Sequence, residues 1–184
     1  MNPEHSGLLE GARQCPSPNR DDRPPECPVD LLVIHSISLP PGEFGGPWID
    51  RLFQNRLPAD RHPFFREIHQ LKVSAHLLIR RDGELVQYVP LQERAWHAGE
   101  SCFEGRERCN DYSIGIELEG SDETPYTDIQ YQVLADTIQE IREQYPGITP
   151  ERMAGHCDIA PGRKSDPGPN FDWERLQRLL ATAG

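Results

Sequence analysis

Two histidines and an aspartate stand where a polypeptide could hold a metal ion. His35 closes the apolar run Leu31-Leu32-Val33-Ile34, His156 follows Met153-Ala154-Gly155, and Asp166 lies within Pro161-Gly162-Arg163-Lys164-Ser165-Asp166-Pro167-Gly168-Pro169. Prolines and glycines hold that last segment stiffly without regular structure, and a stiff support fixes a ligand to within fractions of an ångström. Two imidazoles and one carboxylate are the donor set of an open, catalytic zinc site; structural zinc is usually closed by four ligands and leans on cysteine. Spacing alone does not join positions so distant along the chain, so plain core histidines and a surface carboxylate stay open as the competing reading. Lys164 sits two residues before Asp166. In an extended segment such residues point the same way, which would bring an ammonium beside the metal to stabilise an oxyanion. Cys157 directly follows His156 and should point away from any ion that His156 holds.

These groups need a scaffold. Residues 29–36 read as a buried strand ending in His35, and residues 73–80 and 84–89 as a hairpin turning at Arg81-Asp82-Gly83. Residues 39–46 are a loop by their Pro and Gly content, with Pro47 suited to open a helix running to about Asn55. Residues 90–111 show no period and read as a long loop. Ser113–Glu119 alternates, with Ile114, Ile116 and Leu118 on one face and Gly115, Glu117 and Glu119 on the other. Thr127 with Gln130 forms a capping box for a helix whose apolar stripe is Ile129, Val133, Leu134, Ile138, Ile141 and Tyr145, ended by Pro146-Gly147. Residues 153–156 read as a short strand, and Asp172 as the cap of a last helix. The expected fold is α/β: one domain, residues 29–184, with a mixed central β-sheet flanked by helices, preceded by an irregular N-terminal arm over residues 1–28 that six prolines interrupt.

The 184-residue length suits one core. A formal charge of −11 argues against a nucleic-acid partner, because phosphate contacts dominate such affinity. No run of about 18 apolar residues exists to span a membrane. The first thirteen residues carry Glu4, His5 and Glu10 and no apolar segment of the export type, so a cytoplasmic protein is expected. Five cysteines without a paired CxxC do not suggest a disulfide framework.

The segments LLVIHSISLPPGEFGG, VSAHLLIRRDGELVQYVP, ERAWHAG, CNDYSIGIELEG and AGHCDIAPGRKSDPGPNFDW, in order over residues 29–174, resemble the AmpD-type N-acetylmuramoyl-L-alanine amidases and the wider amidase-2 and peptidoglycan-recognition fold. The resemblance implies one zinc ion per chain, held by His35, His156 and Asp166. It implies Glu117 as general acid/base, with Glu119 the runner-up, and hydrolysis of the amide between the muramic lactyl group and L-alanine. The implied substrate is a soluble 1,6-anhydro-muropeptide, and the implied role is cytosolic wall recycling, which in relatives lowers a β-lactamase-inducing signal. Weaker substrate-contact candidates are Trp96 and His97 of the RAWHAG segment, His76, and Arg108 as a bidentate carboxylate partner, with Arg106 or Arg163 nearby. Ser36 stands where the AmpD type is expected to carry Asn, so substrate affinity there could differ. The alternative is a muropeptide-sensing module that does not cut; the full His/His/Asp set with Glu117 and Lys164 speaks against it. A two-metal phosphoesterase would want more carboxylates.

Overall fold

The structure, a computed structural model, describes residues 7–182. Its strands are β1 (Arg13–Gln14), β2 (Arg20–Asp21), β3 (Leu31–Ile37), β4 (Leu77–Ile79), β5 (Leu85–Gln87), β6 (Arg94–Ala95), β7 (Cys102–Phe103), β8 (Arg106–Glu107), β9 (Ser113–Glu119) and β10 (Met153–Gly155). The helices are α1 (Trp48–Phe53), α2 (Pro63–Ile68), α3 (Asp128–Gln144), α4 (His156–Ile159) and α5 (Trp173–Thr182). Six strands form one mixed sheet in the order β1-β5-β4-β9-β3-β10. The central strands β4, β9, β3 and β10 run parallel, and β4 and β5 make the expected antiparallel hairpin. No helix among the described residues is long and apolar enough to cross a membrane.

Both sheet faces are buried. Leu32, Ile34, Leu77, Ile79, Ile114, Ile116 and Leu118 turn toward α3 and α5 and meet Leu134, Ile138, Ile141 and Leu176. On the other face Leu78 and Val86 pack with Leu52, Phe53 and Phe65 of α1 and α2, while Leu31 and Val33 pack with Ala98, Tyr112 and Ile159. His35 and Glu117 share that second face, between those two apolar groups, because the register pairs them directly. Complete burial of β9 follows from layers on both sides.

Several elements depart from the sequence expectation. The N-terminal stretch is not uniformly irregular: β1 extends the main sheet at its edge and β2 pairs with β6, while residues 1–6 of the expected arm lie outside the described residues. Two-residue strands carry no pattern of their own; neighbours impose them. The loop expected over residues 90–111 contains β6, β7, β8 and a 3₁₀ turn at Cys109–Asp111. Helix α2, absent from the sequence expectation, begins with His62 accepting from the Phe64 N–H and Pro63 in its first turn. In α3 the Thr127/Gln130 capping box forms as expected, but Ile129 is exposed and Gln130 is buried, donating to the Ile79 and Glu119 carbonyls. Strand β10 stops at Gly155, and His156 opens α4 instead of ending the strand.

Candidate metal-binding active site

The carboxyl ends of parallel strands are where α/β sheets collect ligands, and three of them meet here. His35 lies near the end of β3, Glu117 near the end of β9, and His156 follows β10 at once. The rigid loop after α4 brings Asp166 over them. Its backbone carbonyl accepts from the Cys157 N–H at 2.9 Å, and the Tyr126 hydroxyl donates to the Pro167 carbonyl at 2.7 Å. Gly155 lets the loop approach: a Cβ there would lie 2.8 Å from Pro167 Cδ.

Three donor atoms converge. His35 Nδ1 and His156 Nδ1 are 3.0 Å apart, and Asp166 Oδ2 lies 3.2 Å from the first and 3.1 Å from the second. His156 Nε2 lies 3.1 Å from the Ala98 carbonyl. A carbonyl only accepts, so His156 Nε2 carries a proton there, and Nδ1 is the ring nitrogen that faces the cluster. Burial holds the His35 imidazole down to about 4, so it is neutral at pH 7. Asp166 is ionised: although burial opposes it, the two histidines hold its carboxyl well below the usual carboxylate range. Two imidazole nitrogens and a carboxylate, all within 4.8 Å of one another, are a donor set that could hold a cation. Cys157 is not among these donors; its thiol lies near Asp158 and is pushed up by burial.

The donors open into a cavity of about 310 Å³ lined also by Ser36, Trp96, His97, Glu117 and Lys164, with an apolar wall from Phe53, Phe64, Ile68 and Val73. Half of this wall, Phe64 and Ile68, comes from α2, whose one signal in the sequence is the Pro63 that opens it. Glu117 is buried and its Oε2 has no hydrogen-bond partner. Burial raises its carboxyl well above the usual range, the Asp166 charge adds to this, and Lys164 opposes it. Glu119 is differently placed. Its carboxylate accepts from the Gly45 N–H at 2.5 Å and the Arg81 N–H at 3.1 Å, and Arg80 Nη1 lies 3.5 Å away.

The weaker candidates separate in the same way. The Trp96 indole lines the cavity and donates Nε1–H to Asp21 Oδ1 at 3.1 Å. His97 Nδ1 lies 2.8 Å from His35 Nε2, and His97 Nε2 lies 3.0 Å from Ser113 Oγ, so both ring nitrogens are taken within the protein. Ser36 lines the cavity and its side chain hydrogen-bonds Tyr126. His76 is wholly buried and does not line the cavity. Its Nδ1 accepts from the Gly115 N–H and its Nε2 donates to the Glu93 carbonyl. Arg108 is exposed and pairs with Asp111; it borders a separate groove with Glu100, Cys102, Glu107 and Arg163. Arg106 stacks on Tyr112 and pairs with Asp30, and Arg163 donates to the Ala98 and Glu100 carbonyls.

Residues 25–169 match the N-acetylmuramoyl-L-alanine amidase family. The chain belongs to that family. It is 61% identical over 175 residues to the 1,6-anhydro-N-acetylmuramyl-L-alanine amidase AmpD of Escherichia coli (strain K12), covering 95% of each chain. The crystal structure of a selenomethionine AmpD derivative superposes with a TM-score of 0.93 at 59% identity, covering 95% of this chain and 97% of that one. AmpDh3 from Pseudomonas aeruginosa in complex with anhydromuramic pentapeptide gives a TM-score of 0.61 at 30% identity, covering 82% of this chain and 59% of that one. The protein is therefore an N-acetylmuramoyl-L-alanine amidase built on a mixed central sheet.

Proposed function

We propose that this amidase uses one zinc ion, held by His35, His156 and Asp166, to cleave the amide between the lactyl group of 1,6-anhydro-N-acetylmuramic acid and L-alanine in soluble muropeptides of the cytoplasm. The observation that carries this reading is the convergence of His35 Nδ1, His156 Nδ1 and Asp166 Oδ2 in one cavity with a buried Glu117 whose Oε2 has no hydrogen-bond partner. The anhydro-muropeptide is favoured over intact wall because the likeness to AmpD runs almost end to end in both chains.

Zinc bound there supplies Lewis acidity, toward a water whose pKa it lowers from about 15.7 toward 7 and toward the substrate carbonyl. This chain does the rest. Glu117 takes a proton from the attacking water as the new carbon–oxygen bond forms. It then gives that proton to the alanine nitrogen as the carbon–nitrogen bond breaks, leaving a lactyl carboxylate and a free amine. A raised carboxyl suits a group that must act as acid as well as base near neutral pH. The Lys164 ammonium, on the same cavity wall, offsets the negative charge on the carbonyl oxygen. Trp96 and the apolar wall shape the sugar end, and the adjoining pocket toward Arg163 suits the peptide end, where a guanidinium meets a carboxylate.

Metal removal tests the reading. Purified protein should carry about one zinc per chain, lose hydrolysis of anhydro-muramyl-tripeptide when dialysed against chelator, and regain it with zinc. Full activity after complete removal of the metal would contradict it.

A further inference from the structure

His97 is held on all sides for a task other than touching substrate. Asn110 Oδ1 accepts from both the His97 and the Ala98 backbone N–H groups, at 3.1 and 2.8 Å. The ring lies against β9 at Gly115, where a Cβ would fall 2.5 Å from His97 Cγ and Nδ1. Glycine is therefore required there, because any side chain would drive the imidazole off the strand. In that seat His97 Nδ1 meets His35 Nε2 at 2.8 Å and His97 Nε2 meets Ser113 Oγ at 3.0 Å, with Ser113 fully buried. The His35 and His97 ring planes are nearly perpendicular, at 88°, with centroids 4.9 Å apart.

We propose that His97 is a positioning residue for the metal: it accepts the His35 Nε2–H on Nδ1 and passes its own Nε2–H to Ser113 Oγ, fixing His35 with its Nδ1 lone pair turned to the ion. The inference rests on the zinc reading above and adds a role that Gly115, His97 and Ser113 perform together. His156 has its counterpart in the Ala98 carbonyl, which accepts from Nε2 at 3.1 Å. The two ligating imidazoles are thus each oriented from behind, one by a backbone carbonyl and one by a second imidazole. Such partners behind a ligating histidine fix its tautomer and ring orientation, and their loss typically costs about 10- to 100-fold in metal affinity.

The test compares zinc affinity, by competition with a chromophoric chelator, for the wild type, His97→Leu and His97→Asn, together with thermal stability of each zinc-free protein. Leucine removes the acceptor; asparagine can present Oδ1 to the His35 N–H. The expected result is zinc affinity weakened about 10- to 100-fold in His97→Leu and mostly restored in His97→Asn, with both zinc-free variants still folding cooperatively. In the zinc-loaded wild type, ¹⁵N–¹H correlation should find the His97 proton on Nε2. Wild-type affinity in His97→Leu, or a His97 proton on Nδ1 in the loaded protein, overturns the proposal. A His97→Asn no better than His97→Leu also overturns it, because the acceptor would then not be what matters. A wild type that takes up no zinc would instead refute the metal reading beneath it, so the two failures are distinct.

Discussion

Glu117 and Glu119 lie two residues apart on one strand face, yet their carboxylates have opposite surroundings. Glu119 is saturated by the Gly45 and Arg81 amides and by Arg80, which ties the glycine-rich loop to the hairpin. Glu117 has an orphaned oxygen and a carboxyl raised by burial. Glu117→Gln should therefore lower turnover by about 10²–10⁴-fold, the usual share of general acid–base catalysis, with zinc content and melting temperature preserved. Glu119→Gln should behave conversely: activity of the folded enzyme within a few-fold of wild type, and stability lowered by about 1–3 kcal/mol for buried partners left unmatched. Steady-state kinetics and urea unfolding of both variants separate the roles, and the reverse pattern would make Glu119 the acid/base.

At the scale of elements, the site wall depends on a segment that precedes the family match. Strand β2 pairs with β6, and its Asp21 accepts from both Trp96 Nε1 and Arg94, which also pairs with Asp111. Arg23, half-buried and lowered to about 10 by burial, donates to the Leu91, Asn110, Asp111 and Ser113 carbonyls. Asp21→Ala frees the indole, so KM for muropeptide should rise about 3- to 10-fold, the value of one lost hydrogen bond, while kcat stays within twofold and the Trp96 emission shifts. An unchanged KM would show that Trp96 needs no support from the arm. None of this was legible in residues 13–24, because two-residue strands are written by their partners. The apolar runs of β3 and β9 and the capping box of α3 were legible, since burial and capping act on local sequence. The helical start at His156 was not: Gly155 and Asp158 close a capping turn there, with the Gly155 N–H donating to Asp158 at 2.7 Å. Nor did composition join His35 to Asp166; the sheet register and the Tyr126–Pro167 bond bring them together, and only the family resemblance anticipated it.

For the molecule as a whole, burying neutral histidines makes folding depend on pH. His76 sits between Arg23, the Glu93 carbonyl and the Gly115 amide, and burial, aided by the Arg23 charge, holds it down to about 3 from an ordinary 6.5. Between those values the unfolded chain binds more protons than the folded one. Stability should therefore be full above about pH 6.5 and fall as pH drops toward 3, by roughly several kcal/mol for this group alone. His76→Asn, which keeps an acceptor for the Gly115 N–H but cannot titrate, should flatten that slope between pH 7 and 5 in urea unfolding; an identical slope would remove His76 as its cause. The sheet buries such groups on one face and turns the carboxyl ends of β3, β9 and β10 to the cavity, which is why stability and chemistry share a side of the molecule. The central claim is that this cavity hydrolyses the lactyl–alanine amide, and anhydro-muramyl-tripeptide digested in ¹⁸O-water tests it most directly. Hydrolysis there should release free tripeptide and an anhydro-muramic acid carrying one ¹⁸O in its lactyl carboxylate, both lost in Asp166→Ala. Tight binding of the muropeptide with no labelled product from the zinc-loaded wild type would contradict it.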